Sequence, residues 1–188
     1  MSATEICDLC PNYENCIRYE CEKIKNYSFY STDDTAREEY LKILYKIWIL
    51  LSYTSTAKLS KVAMFTGKYL TKHPSIPATL TMLLKVSRNT KEFSYALDIL
   101  SKLINKNSII NDSDREILFV HFRQPDIFKN FLASLRLSHK RYTIDKNDLR
   151  HEHMRKVMKI MVTLYLKNHF GHFWTHIFYH FILSSGYF

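Results

Sequence analysis

Residues 33–51, from Asp33 to Leu51, read DDTAREEYLKILYKIWILL. Tyr40, Leu41, Leu44, Ile47, Trp48 and Leu51 recur at three- and four-residue intervals, the period of one helix face. Asp33 and Asp34 mark the start, and Thr35 and Glu38 stand at capping-box spacing. An amphipathic helix is expected here, and its pattern sets the terms for the rest of the chain.

Further along, the same period returns repeatedly. Residues 56–72 carry Leu59, Val62, Ala63, Phe65, Tyr69 and Leu70 and stop before His73-Pro74. The next segment holds Pro77 in its first turn and runs to about residue 87. Residues 89–105 follow, then a segment opening with the capping box Ser113–Glu116 and ending at Pro125. Further helices are expected over 126–138, from 145 into the 160s, and from 168 to 183. The fold class is all-α, an irregular helical bundle or a short stack of helical hairpins with about eight helices. Helix pairs begin near positions 33, 75, 111 and 145, intervals in the size range of helical repeats, although no signature residue repeats between them.

Composition supports a packed domain. The chain has 188 residues, 46% hydrophobic and 24% charged, enough to bury one core. We read a basic helical domain over residues 31–188 and a small Cys-rich metal-binding module over residues 1–30. Glycine is scarce: Gly67, Gly171 and Gly186 are the only three, where average usage gives about 13. Neither a G-x-G-x-x-G stretch nor a P-loop can be written with them, which removes the commonest nucleotide-binding enzymes. The first ten residues have no basic and apolar leader pattern. The most apolar window, 160–183, is interrupted by Lys167 and four histidines, so a membrane span is not expected. All four cysteines crowd into positions 7–21, where they could close only small loops, so an intracellular setting is expected, cytoplasm or nucleus.

Cys7, Cys10, Cys16 and Cys21, spaced C-x2-C-x5-C-x4-C, form the strongest chemical signal. A C-x2-C knuckle lets two thiolates grip one Zn²⁺ from a single turn, and Pro11, Asn12 and Asn15 suit a tight loop around it. Cys16 and Cys21 would complete a tetrahedral shell from the start of the following helix. Such a closed shell leaves no open position, so the expected zinc is structural. Four soft ligands also suit an iron–sulfur cluster. Over these fifteen residues the spacing resembles, with one residue extra in the last gap, the C-x2-C-x5-C-x3-C of auxiliary-cluster domains in radical-SAM maturases.

His169, His172, His176 and His180 lie at i, i+3, i+7 and i+11, a stripe about 80° wide on an unbroken helix. They are candidates for a second metal site or a pH-sensitive contact. No acidic residue follows His153, which removes the carboxylate that usually orients a ligand imidazole. Surrounded by Phe170, Phe173, Trp174, Ile177 and Phe178, the stripe reads first as the semi-polar side of a buried or interface helix.

Charge is segregated. Residues 1–40 hold nine acids and four bases, net −5, while the rest carries +14, giving +9 for the chain. Lys58, Lys61, Lys68 and Lys72 fall within about 80° of one helix face. A second cluster comprises Lys140, Arg141, Tyr142, Arg150, Arg155, Lys156 and Lys159. Basic faces of this kind neutralise phosphates without reading sequence, and Tyr142 could stack on an unpaired base.

Nothing assembles a catalytic set. G-x-S-x-G is absent, and the acid pairs Asp112/Asp114 and Asp145/Asp148 sit at helix starts, where they complement the dipole. The expected function is therefore a non-enzymatic nucleic-acid-binding regulatory protein, non-specific for sequence, with a structural zinc knuckle. The alternative is a helical protein-interaction module that binds an acidic partner or a second copy through the aromatic segment 169–188.

Overall fold

Six α-helices and no strand make up the described part of the chain in a computed structural model. The structure describes residues 12–25, 33–52, 54, 56–86, 90–105, 109–124, 126–127, 155–156, 159–160 and 162–163. The helices are α1 (Tyr13–Lys25), α2 (Asp34–Ser52), α3 (Ala57–Lys72), α4 (Ser75–Val86), α5 (Thr90–Ile104) and α6 (Asp112–Phe122). The all-α expectation holds among the described residues. Of the eight expected helices, five are α2 to α6. The ranges 126–138, 145–160s and 168–183 lie largely or wholly outside the described residues.

Local chemistry explains most boundaries. The Asp33 side chain accepts from the Thr35 amide at 2.9 Å and its carbonyl from the Arg37 amide, so Asp33 caps α2. Thr56 caps α3, its hydroxyl accepting from the Leu59 amide at 3.2 Å. His73 ends that helix in an extended conformation, as a residue before proline prefers. Asn111, two residues ahead of the expected Ser113, caps α6 by accepting from the Asp114 amide at 2.7 Å. An asparagine cap with an acid three residues on satisfies the same orphan amides as the serine box.

The first helix departs from expectation. Asn15, expected in a tight loop, instead lies in the first turn of α1, with the Asn12 carbonyl accepting from the Asn15 and Cys16 amides. Ile17, Cys21 and Ile24, at i, i+4 and i+7, form its buried stripe. Cys21 is thus one rung of an apolar face.

Packing centres on α2 and α3. α2 lies against α1, α3 and α5, and α3 also touches α1, α4 and α6. Leu44, Ile47 and Leu51 of α2 are fully buried, each worth roughly 1.5–3 kcal/mol. Ile17, Cys21 and Ile24 join the same core, so α1, within the expected 1–30 module, shares its interior with the helical body. The Tyr40 hydroxyl donates to the Ile24 carbonyl at 3.2 Å and pins the end of α1 to α2. Buried Thr66, Thr71 and Thr81 satisfy their hydroxyls on carbonyls of their own helices.

Gly67 sits where α3 meets Ile109 and Ile110. A Cβ there would lie 2.9 Å from Ile110 Cγ1, closer than carbon atoms pack, so only hydrogen fits. The Ile110 carbonyl accepts from Arg115 Nη2 at 2.8 Å, and Arg115 Nη1 pairs with Asp112, which fixes the approach to α6. Ile160 is fully buried, and Lys156 meets Asp98 of α5 at 2.6 Å, so residues 156 and 160 pack onto the same body.

Candidate nucleic-acid interface

Lys58, Lys61, Lys68 and Lys72 are all exposed, and all stand on α3. Leu59, Val62, Ala63 and Leu70 bury the opposite side of that helix, so core packing turns the lysine row outward. The expected stripe is present as a surface.

At the C-terminal half of the row, α1 walls off a cleft of about 660 Å³. Its cationic lining is Arg18 from α1 with Lys68, Lys72 and His73. Phe65 and Tyr69 supply its rings, and among the described residues Glu14 is its one carboxylate. The Arg18 guanidinium lies 5.7 Å from the Phe65 ring centre, and the Tyr13 ring meets Phe65 edge-on at 6.3 Å. Arg18 also approaches Glu14 at 3.8 Å, with both side chains about half exposed, a pair worth little in water.

Tyr69 is held from behind. Its hydroxyl donates to Glu22 Oε1, and Lys25 donates to Glu22 Oε2 at 2.6 Å. The bond from Lys25, and next that from Tyr69, hold the Glu22 carboxyl below its ordinary range. Burial, then the Glu22 bond, pushes the Tyr69 hydroxyl up to about 12. The His73 ring lies 4.3 Å from that of Tyr69. Neutral, and with its hydroxyl committed to Glu22, Tyr69 offers the cleft its ring.

Of the second basic cluster, Arg155, Lys156 and Lys159 are among the described residues. Lys156 is tied to Asp98, with both side chains about one-quarter exposed, so the body takes up this expected contact residue. Arg155 and Lys159 are exposed. Lys140, Arg141, Tyr142 and Arg150 lie outside the described residues, as do His169, His172, His176 and His180.

Two of the four cysteines, Cys16 and Cys21, are among the described residues. Cys16 is disulfide-bonded, while Cys21 is a free, fully buried thiol. Burial first, then the charges of Glu20 and Glu22, pushes Cys21 from 9.0 up to about 12. Cys7 and Cys10 lie outside the described residues. Among the described residues no group of three or more His, Cys, Asp or Glu is placed to hold a metal ion. A four-thiolate shell for zinc or an iron–sulfur cluster requires Cys16 reduced.

Arg18, Phe65, Tyr69 and His73 escaped the reading of the sequence. Phe65 and Tyr69 precede Lys68 and Lys72 by one helical turn, a visible signal that aromatic and basic side chains adjoin. Arg18 reaches them only because α1 packs on α3. Among the described residues no helix is long and apolar enough to cross a membrane. Comparison with known protein families, curated proteins and solved structures finds no match.

Proposed function

We propose that this is a non-enzymatic, nucleic-acid-binding regulatory protein whose binding face is α3, extended by Arg18 of α1. The observation that carries the reading is the outward row Lys58, Lys61, Lys68 and Lys72, joined at one end by Arg18 and His73. Over fourteen residues the row spans about 21 Å, long enough to meet several successive phosphates. Cations on such a face displace condensed counterions from the strand, and that release favours binding whatever the sequence.

Two of the three acidic residues of α1, Glu20 and Glu22, do not oppose this. Glu20 reaches Lys23 and Lys46 at 3.2 and 3.4 Å, and Glu22 is engaged by Lys25 and Tyr69. Their charge is largely compensated beside the row.

The test is a titration of a mixed-sequence oligonucleotide across a range of salt. Affinity should fall with a log–log slope of about −0.7 per phosphate contact for single strands. Binding no tighter than about 10⁻⁴ M near physiological salt would hand the function to protein interaction instead.

A further inference from the structure

The cleft between α1 and α3 differs in kind from the rest of the lysine row, because it brings rings and cations into one concavity. We propose that it seats a single unpaired nucleotide, with the phosphate on Arg18, Lys68 and Lys72 and the base against Phe65 and Tyr69. This rests on the function proposed above and adds to it a selection for single strands over duplex.

Size agrees. A volume of about 660 Å³ lies within the range of small-ligand pockets, ~300–1,000 Å³. A duplex keeps its base faces stacked inside and offers this cleft only backbone, whereas an unpaired base offers a free face for stacking.

Preorganisation agrees too. Glu22 holds the Tyr69 ring through its hydroxyl, and Tyr13 abuts Phe65 edge-on, so neither ring must be ordered on binding. Among the described residues Arg18 contacts Glu14 and Phe65, with the Glu14 pair about half exposed. A phosphate can replace Glu14 as its partner through two parallel hydrogen bonds. Glu14 lies on the α1 side and Lys68 and Lys72 on α3, which directs the phosphate towards α3.

A phosphotyrosine peptide also joins a ring to a phosphate. The strand is favoured because the same face continues from the cleft through Lys61 to Lys58, cations that a single phosphate would leave unused. The nucleotide could be part of a strand or free in solution. The shared chemistry is a base carrying a phosphate.

The experiment uses the full chain and labelled strands of about 8 nucleotides, within the usual span of single-strand sites. Oligothymidylate, an abasic strand with the same phosphates, a duplex of equal length, thymidine monophosphate and a phosphotyrosine peptide are compared at one salt concentration. Oligothymidylate should bind about 5- to 100-fold tighter than the abasic strand, the range of one stacked base. Phe65→Leu should bring oligothymidylate down towards the abasic affinity. Because Phe65 also packs on the core, a second readout avoids any variant: 5-iodouracil in the strand should photocrosslink to Phe65 or Tyr69. Competition by the monophosphate as tightly as by the strand identifies a free nucleotide as the source, and weaker competition identifies the strand. Equal affinity for oligothymidylate and abasic strand, a preference for duplex, or crosslinks confined to other segments overturn the cleft while leaving the lysine row as a phosphate surface. Tighter binding of the phosphotyrosine peptide overturns the cleft as a nucleotide site. Failure of every nucleic acid to bind overturns both readings.

Discussion

The hydroxyl of Tyr69 on α3 donates to Oε1 of Glu22 on α1, across 47 residues of sequence. Lys25 donates to both carboxylate oxygens, at 2.7 and 2.6 Å, so the bond joins two helices through a carboxylate that is already fixed. It sets both the spacing of α1 from α3 and the orientation of the ring that lines the basic cleft.

Tyr69→Phe should cost about 1 kcal/mol, the scale of one net hydrogen bond, because the Glu22 side chain is 42% exposed and water can replace the donor. The pH dependence has two edges. Glu22 is held below its ordinary 4.5, so its contribution is full above pH 4.5 and is lost as pH falls through the folded value. Tyr69 is raised from 10.0 to about 12, so its contribution is full below pH 10 and is lost as pH climbs towards 12. Urea unfolding of wild type, Tyr69→Phe, Glu22→Gln and the double variant should show coupling within the pair. Strictly additive costs would remove the bond from the account.

Gly67→Ala should destabilise the fold despite alanine's better helix propensity, worth about 1 kcal/mol. The new methyl would meet Ile110 Cγ1 at 2.9 Å in a buried contact, and overpacking of this kind costs about 1–3 kcal/mol. Combining it with Ile110→Ala should cost less than the sum of the two single changes, because the second removes the clashing atoms. Thermal unfolding of the four proteins provides the measurement. An alanine at 67 that stabilises would show that Ile109 and Ile110 can move away.

Basic residues should divide into two groups. Reversing Lys61, Lys68 or Lys72 to Glu should weaken binding of many sequences alike and flatten the salt slope by about 0.7 per lost contact. Lys156→Met should instead leave the slope unchanged and reduce stability by about 1 kcal/mol, the upper end for a partly exposed ion pair with Asp98. A slope that drops with Lys156→Met would return that residue to the binding surface.

His121, in the last turn of α6, adds a further acid edge. Burial holds its imidazole below the ordinary 6.5 against a smaller opposing hydrogen bond to the backbone of Thr71, and its Nε2 is buried with no hydrogen-bond partner among the described residues. A depressed folded pKa stabilises fully above pH 6.5, and that contribution is lost as pH falls through the folded value. The unfolding midpoint should therefore drop on going from pH 7 towards pH 5, and His121→Met should flatten that fall. An equal fall in the variant would assign the acid edge to other groups.

Cys21 should resist alkylation by iodoacetamide in the native protein and react only on unfolding, since it is fully buried and titrates near 12. Mass spectrometry of protein treated with and without denaturant reads this directly. Metal analysis of protein purified without chelator tests the four-thiolate shell: about one zinc per chain, with Cys21 shielded by metal, is what that shell requires. A metal-free protein whose Cys21 is still protected places the thiol in the core.

The sequence by itself determined the elements. Periodic apolar residues placed α2, α3 and α5, and local hydrogen bonding by Asp33 and Thr56 together with the Pro74 restriction on His73 set their ends within a residue or two. The outward lysine row was equally legible, because a 100° step per residue fixes which side chains share a face once the apolar stripe is known. Only the tertiary structure decided which faces meet. Cys21 stands in a run of four cysteines, and only the docking of α1 shows that the stripe Ile17–Cys21–Ile24 faces the core. Lys156 reads as one cation among several, yet Asp98 lies 58 residues away in sequence and 2.6 Å away in space. Arg18 belongs to an acidic stretch, and only the packing of α1 on α3 brings it beside Lys68, Lys72 and Phe65. Helix formation is governed by interactions within about four residues, which a sequence displays. The pairing of helix surfaces is governed by the shape and volume of side chains from distant segments, and these meet only in the folded chain.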